Sequence, residues 1–169
     1  MSAENKDVAK KFMEDCWNRG EVSKAGQYLS KDCRYHDPVF PSLASGLDNL
    51  KQHISNCRAG FPDLRFTIDD MIAERNEVVL HWTARGTHQG QFLGMAPTNK
   101  SAAVTGTSIY KLEKDKIVEQ WSEWNLLSLL EQLGLAKALQ AEGETERISA
   151  GNAARRLIPC LGPAGWRHR

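Results

Sequence analysis

The sequence predicts an α+β fold in which three N-terminal helices pack on one face of a curved antiparallel sheet. Two observations carry this. Apolar residues recur at helical spacing as far as Cys57, and after Leu64 the period changes to two. The elements also come in blocks, helices first and a four-stranded meander second, which is the order of segregated α+β domains rather than of alternating α/β ones.

Ala9, Phe12, Met13 and Cys16 repeat at helical spacing, Trp17 extends the stripe, and Asn18-Arg19-Gly20 supplies a stop. A second short helix is expected from about Val22 to Leu29. A strand-like stub, Cys33 to Asp37, and a proline-bounded loop, Pro38 to Ser45, follow. The third helix puts Leu47, Leu50, Ile54 and Cys57 on one face, and Phe61-Pro62-Asp63 ends it. Arg65 to Ala73 reads as a strand and Glu74-Arg75-Asn76 as a turn. Glu77 to Thr87 is then the hairpin partner and the expected centre of the sheet. A glycine-bearing connection, His88 to Lys100, leads to a strand from Ala103 to Leu112. Lys114-Asp115 turns the chain, and Ile117 to Trp124 returns antiparallel. Leu126, Leu129, Leu130 and Leu133 form a closing helix ended by Gly134.

A length of 169 residues suits one domain with a real core. Residues 1–135 read as that domain. Residues 136–169, rich in alanine, glycine and charge, read as a flexible tail with a frayed helix near Ala136 to Ala141. A net charge of +1 gives no footprint for nucleic acid or an acidic membrane surface. The longest apolar stretches, such as Leu126 to Leu130, are far short of a membrane span, and the charged start has no secretory apolar region. Cys16, Cys33, Cys57 and Cys160 are scattered without a CxxC pair. They read as small buried thiols in a reducing compartment, so a cytoplasmic protein is expected.

No GxSxG, Walker, GxGxxG or HExxH motif is present, so any chemistry must come from residues that the fold brings together. His53 shares a helix face with Leu50, Ile54 and Cys57, where an imidazole must either find a partner or line a cavity. His36 stands at a strand end before Asp37-Pro38, where a carboxylate can hold it or a simple turn can form. His81 falls with Val79, Thr83 and Arg85 on a strand face that is either solvated or the lining of a wet pocket. His88 reads as a loop residue. No pair of histidines has ligand spacing, so no metal site is expected. Trp17, Trp82, Trp121 and Trp124 either pack the core or form the wall of a pocket for a flat ligand.

Several stretches together resemble the SnoaL-like polyketide cyclase family, within the superfamily named for nuclear transport factor 2. They are Tyr35-His36-Asp37-Pro38, Ala59-Gly60-Phe61-Pro62-Asp63-Leu64, Gly86-Thr87-His88-Gln89-Gly90, Gly94-Met95-Ala96-Pro97-Thr98, Lys116-Ile117-Val118-Glu119-Gln120-Trp121 and Leu129-Leu130-Glu131-Gln132-Leu133-Gly134. The resemblance covers roughly residues 5 to 135, and order and spacing both hold. It implies a cone-shaped barrel with the pocket inside, commonly in a homodimer. Founding members close a ring by an intramolecular aldol reaction without metal or cofactor, and relatives include hydroxylation-linked proteins and lactone isomerases. Carried over, the pocket aromatic of the first helix falls on Trp17 and a pocket-facing position of the third helix on His53. The aldol aspartate falls on Ser122 and its companion histidine on Ser108, with Glu119 and Glu123 as the neighbouring carboxylates. A further family aspartate is replaced by Asn125. A serine hydroxyl has the wrong acidity to take a proton from a ketone α-carbon near neutral pH.

Two functions therefore stand side by side. One is an enzyme that cyclises or isomerises a small polyketide- or terpenoid-like ligand, with His53 or His36 as general base. In it Trp17, His81, Trp82, Ser108, Trp121, Ser122 and Trp124 would line the substrate. The other is a binding module for a small hydrophobic ligand that keeps the pocket without catalysis. A fully packed apolar cone would favour a third, purely structural role.

Overall fold

A computed structural model describes residues 2–136, so the expected tail beyond them, with Cys160, lies outside the described residues. Helix α1 spans Ser2–Phe12 and continues through a wider π turn, Met13–Asn18, whose buried side chains are Met13, Cys16 and Trp17. Arg58 fixes that turn by donating to the Trp17 carbonyl at 2.6 Å and to the Leu64 carbonyl at 3.0 Å. Asn18 completes the junction. Its amide donates to Phe66 O at 3.0 Å and its oxygen accepts from Phe66 N at 2.7 Å, a side-chain imitation of strand pairing.

The second expected helix is a 3-10 segment, Val22–Gln27, rather than an α-helix. Strand β1 then runs Leu29–His36, α2 Leu47–Gly60, β2 Arg65–Glu74, β3 Glu77–Thr87, β4 Ser101–Glu113, β5 Lys116–Trp124 and α3 Leu126–Leu133. The sheet order is β1-β5-β4-β3-β2. Three expectations change here. β1 is a full strand that joins β5 in parallel, so the sheet is mixed. With β1 and β2 left as edges, it is an open sheet instead of a closed barrel, and its central strand is β4 rather than β3.

Period two sorts β3 and β4. Val78, Leu80, Trp82 and Ala84 of β3 are buried, as are Ala102, Gly106, Ser108, Tyr110 and Leu112 of β4. Helix α1 lies across β2 and β3, α2 packs on β1, and α3 on β4. Phe12 meets Tyr110 edge-on at 5.9 Å between ring centres, sealing the end of the core beneath α1. The β4–β5 hairpin turns through Lys114 and Asp115, both at positive φ (49° and 61°), the pairing whose twist suits a two-residue connection. Asn125 caps α3 by accepting from Ser128 N at 2.9 Å, and Gly134 ends it in the left-handed conformation.

Candidate functional site

The inner faces of the sheet and the helices enclose a chamber of about 100 Å³. Its walls are largely apolar, with Met13, Trp17, Phe61, Phe66, Trp82 and Leu129 among them. The polar residues Tyr35, Asp37, His53, Ser108, Gln120 and Ser122 also line it. A surface groove of about 510 Å³ abuts it, and Phe40, His53, Cys57 and Phe92 line both spaces. These four side chains therefore stand between the interior and solvent. Phe40 packs edge-on against His53 at 4.5 Å and against Phe92 at 6.2 Å.

Asp37 is the chamber's buried carboxylate, 6% exposed. Extended backbone after β1 keeps it on the inward side with Tyr35, two residues earlier. Tyr35 Oη donates to its Oδ2 at 2.8 Å, Trp124 Nε1 donates to the same oxygen at 3.0 Å, and Val39 N donates to Oδ1 at 2.8 Å. Burial and then the Asp37 charge push the Tyr35 phenol well above its usual range, so it stays a donor.

His53 is buried on α2 among the rings of Trp17, Tyr35 and Phe40. Burial pulls its pKa down to about 4, with Asp37 opposing, so the imidazole is neutral near pH 7. Its Nε2 lies 3.8 Å from Cys57 Sγ. Burial, then Asp37, drives that thiol up to about 12, which removes it as a nucleophile.

On the facing wall a chain of hydrogen bonds crosses three strands. Trp82 Nε1 donates to Ser108 Oγ at 3.0 Å, and Ser108 and Ser122 share a bond of 2.9 Å. The two serines are direct cross-strand partners. Gly106 makes this possible, since a Cβ there would fall 2.4 Å from the Trp82 ring.

The structure thus brings Trp17, His53, Trp82, Ser108, Ser122 and Trp124 to one chamber. It does not bring His36, His81 or Trp121 there. All three sit on the outer face because each has the opposite strand parity. His36 bonds Glu119 at 2.9 Å and stacks on Trp121 at 5.3 Å and 15°. Arg34 also grips Glu119, and these two partners hold its carboxyl down to about 2. Glu119 and Glu123, the alternative carboxylates, therefore also face outward. His81 is half-exposed with Asp69 at 3.8 Å. His88 is fully buried, stacked 5.2 Å from Phe61, rather than a loose loop residue. Sequence patterning alone did not single out Asp37 and Gln120, although period two from Tyr35 and from Ser122 reaches both. No group of His, Cys, Asp and Glu suited to a metal ion occurs among the described residues.

A family profile described as SnoaL-like polyketide cyclase matches residues 7–133. The chain belongs to the SnoaL-like polyketide cyclase family. Solved structures agree on the fold. TsrD from Streptomyces laurentii is 24% identical with a TM-score of 0.74, covering 80% of this chain and 98% of its own. AclR from Streptomyces galilaeus, provisionally described as a hydroxylase, is 27% identical with a TM-score of 0.71, covering 80% and 99%. A provisionally assigned polyketide cyclase from Acidithiobacillus ferrooxidans is 24% identical with a TM-score of 0.72, covering 80% and 98%. No relative of curated function matches the sequence. The family resemblance puts the aldol aspartate and histidine at Ser122 and Ser108. In this member those positions are a hydrogen-bonded pair of hydroxyls, and the buried carboxylate of the chamber follows β1, the strand that pairs with the β5 of Ser122.

Proposed function

We propose that this SnoaL-like protein catalyses acid/base cyclisation or isomerisation of a small polyketide- or terpenoid-like ketone, with Asp37 as proton acceptor and no cofactor. The observation that carries this reading is a buried carboxylate that lines an apolar chamber and is oriented by three donors. Asp37 takes a proton from the carbon next to a ligand carbonyl, and the enolate oxygen takes a hydrogen bond from the serine pair. One of the two serine hydroxyl hydrogens is used between Ser108 and Ser122, which leaves the other to donate. The enolate carbon then attacks a second carbonyl of the same molecule, or is reprotonated elsewhere, and Asp37 returns the proton. His53, neutral in its ring of aromatics, orients the ligand. His36 has no part in this scheme. Proton transfer of this kind contributes roughly 10²–10⁴-fold, so the shape of the chamber must supply the rest.

The second reading, a binding module, is favoured by Ser108 and Ser122 standing where the founding cyclases carry their acid/base pair. Cyclopentanone in D₂O separates the two. Exchange of its α-protons above the buffer rate supports catalysis, whereas binding without exchange supports the module.

We further propose that the protein works as a homodimer joined through the outer sheet face. Ile72, Val79, Ile109 and Trp121 follow one another in register across β2, β3, β4 and β5, ending on His36 of β1. Ile72 is 62% exposed, and an apolar row crossing a whole sheet is unusual on a face that meets only water.

A further inference from the structure

The chamber's polar groups are mostly satisfied by one another, as the bonds to Asp37 and within the serine pair show. Gln120 differs. It is 1% exposed and lines the chamber, yet its Oε1 accepts no hydrogen bond among the described residues. A buried carboxamide oxygen in that condition carries the cost of lost hydration with nothing in return. The two comparable atoms stand elsewhere in the fold, Glu21 in an ion pair with Lys24 and His88 outside the chamber. Gln120 reaches this position because it shares inward parity with Ser122 and Trp124, directly beside Tyr35 in the parallel pairing of β1 with β5.

We infer that Gln120 reads the ligand, accepting a hydrogen bond from a hydroxyl on its ring. This deepens the proposed function and rests on the chamber being a ligand site. The preferred ligand is then an uncharged ring that carries a hydroxyl, a phenol or enol, over the same ring without one. A hydroxyl donates and accepts, so it satisfies the carboxamide whichever end faces it. A second anion beside Asp37 would be repelled, which is why the ligand is uncharged. Sites built around a substrate hydroxyl reject the analogue lacking it, because the protein group is then left buried and unpaired.

The test uses phenol and fluorobenzene, rings of similar size that differ in the hydroxyl. Both are titrated by NMR into the wild type and Gln120→Met, and the ligand-free urea midpoints are compared. Gln120→Leu is carried alongside, so that a misfit of the thioether does not decide the midpoint. The wild type should bind phenol roughly tenfold or more tightly than fluorobenzene. The apolar variants should lose that preference, and the better of the two should unfold at the wild-type urea concentration or above. An unchanged preference, or lower midpoints in both variants, overturns the role of Gln120 while leaving the chamber as a ligand site. If neither ring binds the wild type, the chamber reading itself falls and takes this inference with it.

Discussion

Asp37 and His53 face the same apolar space, and burial acts on them through different means. Three donors hold the carboxylate, whereas the imidazole has only rings and a distant thiol, so it resists taking a proton. Its folded pKa of about 4 lies below the unfolded value near 6.5. The unfolded chain therefore binds more protons between those values, and stability is complete above pH 6.5 and lost as pH falls through 4. The loss attributable to His53 is about 3 kcal/mol by pH 4. Urea unfolding of the wild type and His53→Gln across pH 7 to 4.5 should show a slope that the variant lacks. Equal slopes would mean that His53 is not buried as described. At this scale the sequence was half legible. Helical spacing placed His53 inward, but the candidate residues were drawn from both parities of β3 and β5. Trp82 and His81 cannot share a face, nor can Ser122 and Trp121, so parity alone excludes one of each pair. Asp37 was hard to see because it is the last residue of the predicted stub, next to Pro38, where alternation is least decisive.

Among the elements, the β3–β4 pair carries the arrangement that the chamber needs. Gly106 faces Trp82 across the ladder and leaves room for the indole to lie over β4, where its Nε1 meets Ser108. Adding a methyl group there must displace the ring or the backbone, because Glu123 O also lies 2.8 Å from the site of the Cβ. Gly106→Ala should therefore cost about 1–3 kcal/mol in urea unfolding and shift the Trp82 indole N–H resonance. A stable variant with that resonance unmoved would contradict the described packing. Element types were legible because amphipathic period and turn chemistry are local. The parallel joining of β1 to β5 was not. It depends on contacts between segments some eighty residues apart, such as Ile117 N to Tyr28 O at 2.7 Å, which no local pattern records.

For the whole molecule, family membership and architecture agree, and Trp17 and His53, to which the resemblance assigned pocket positions, line the chamber. It said less about chemistry, because fold and function part company in families of this kind. A chamber of about 100 Å³ is below the ~150 Å³ that holds a benzene ring. Even a single ring must therefore reach toward the groove beyond Phe40 and Phe92, as must any larger ligand. Assembly is testable at the same scale. Trp121→Glu puts a charge into the outer apolar row and should give a monomer by light scattering at concentrations where the wild type is dimeric. A monomeric wild type, or a dimeric variant, would count against that interface.

The central claim is that Asp37, and not a histidine, moves the proton. The most direct measurement is the rate of α-proton exchange of cyclopentanone in D₂O, compared among the wild type, Asp37→Asn and His53→Gln at pH 7. The account predicts a loss of roughly 10²-fold or more for Asp37→Asn and a clearly smaller one for His53→Gln, with both variants folded. Exchange that survives Asp37→Asn and disappears with His53→Gln would contradict it.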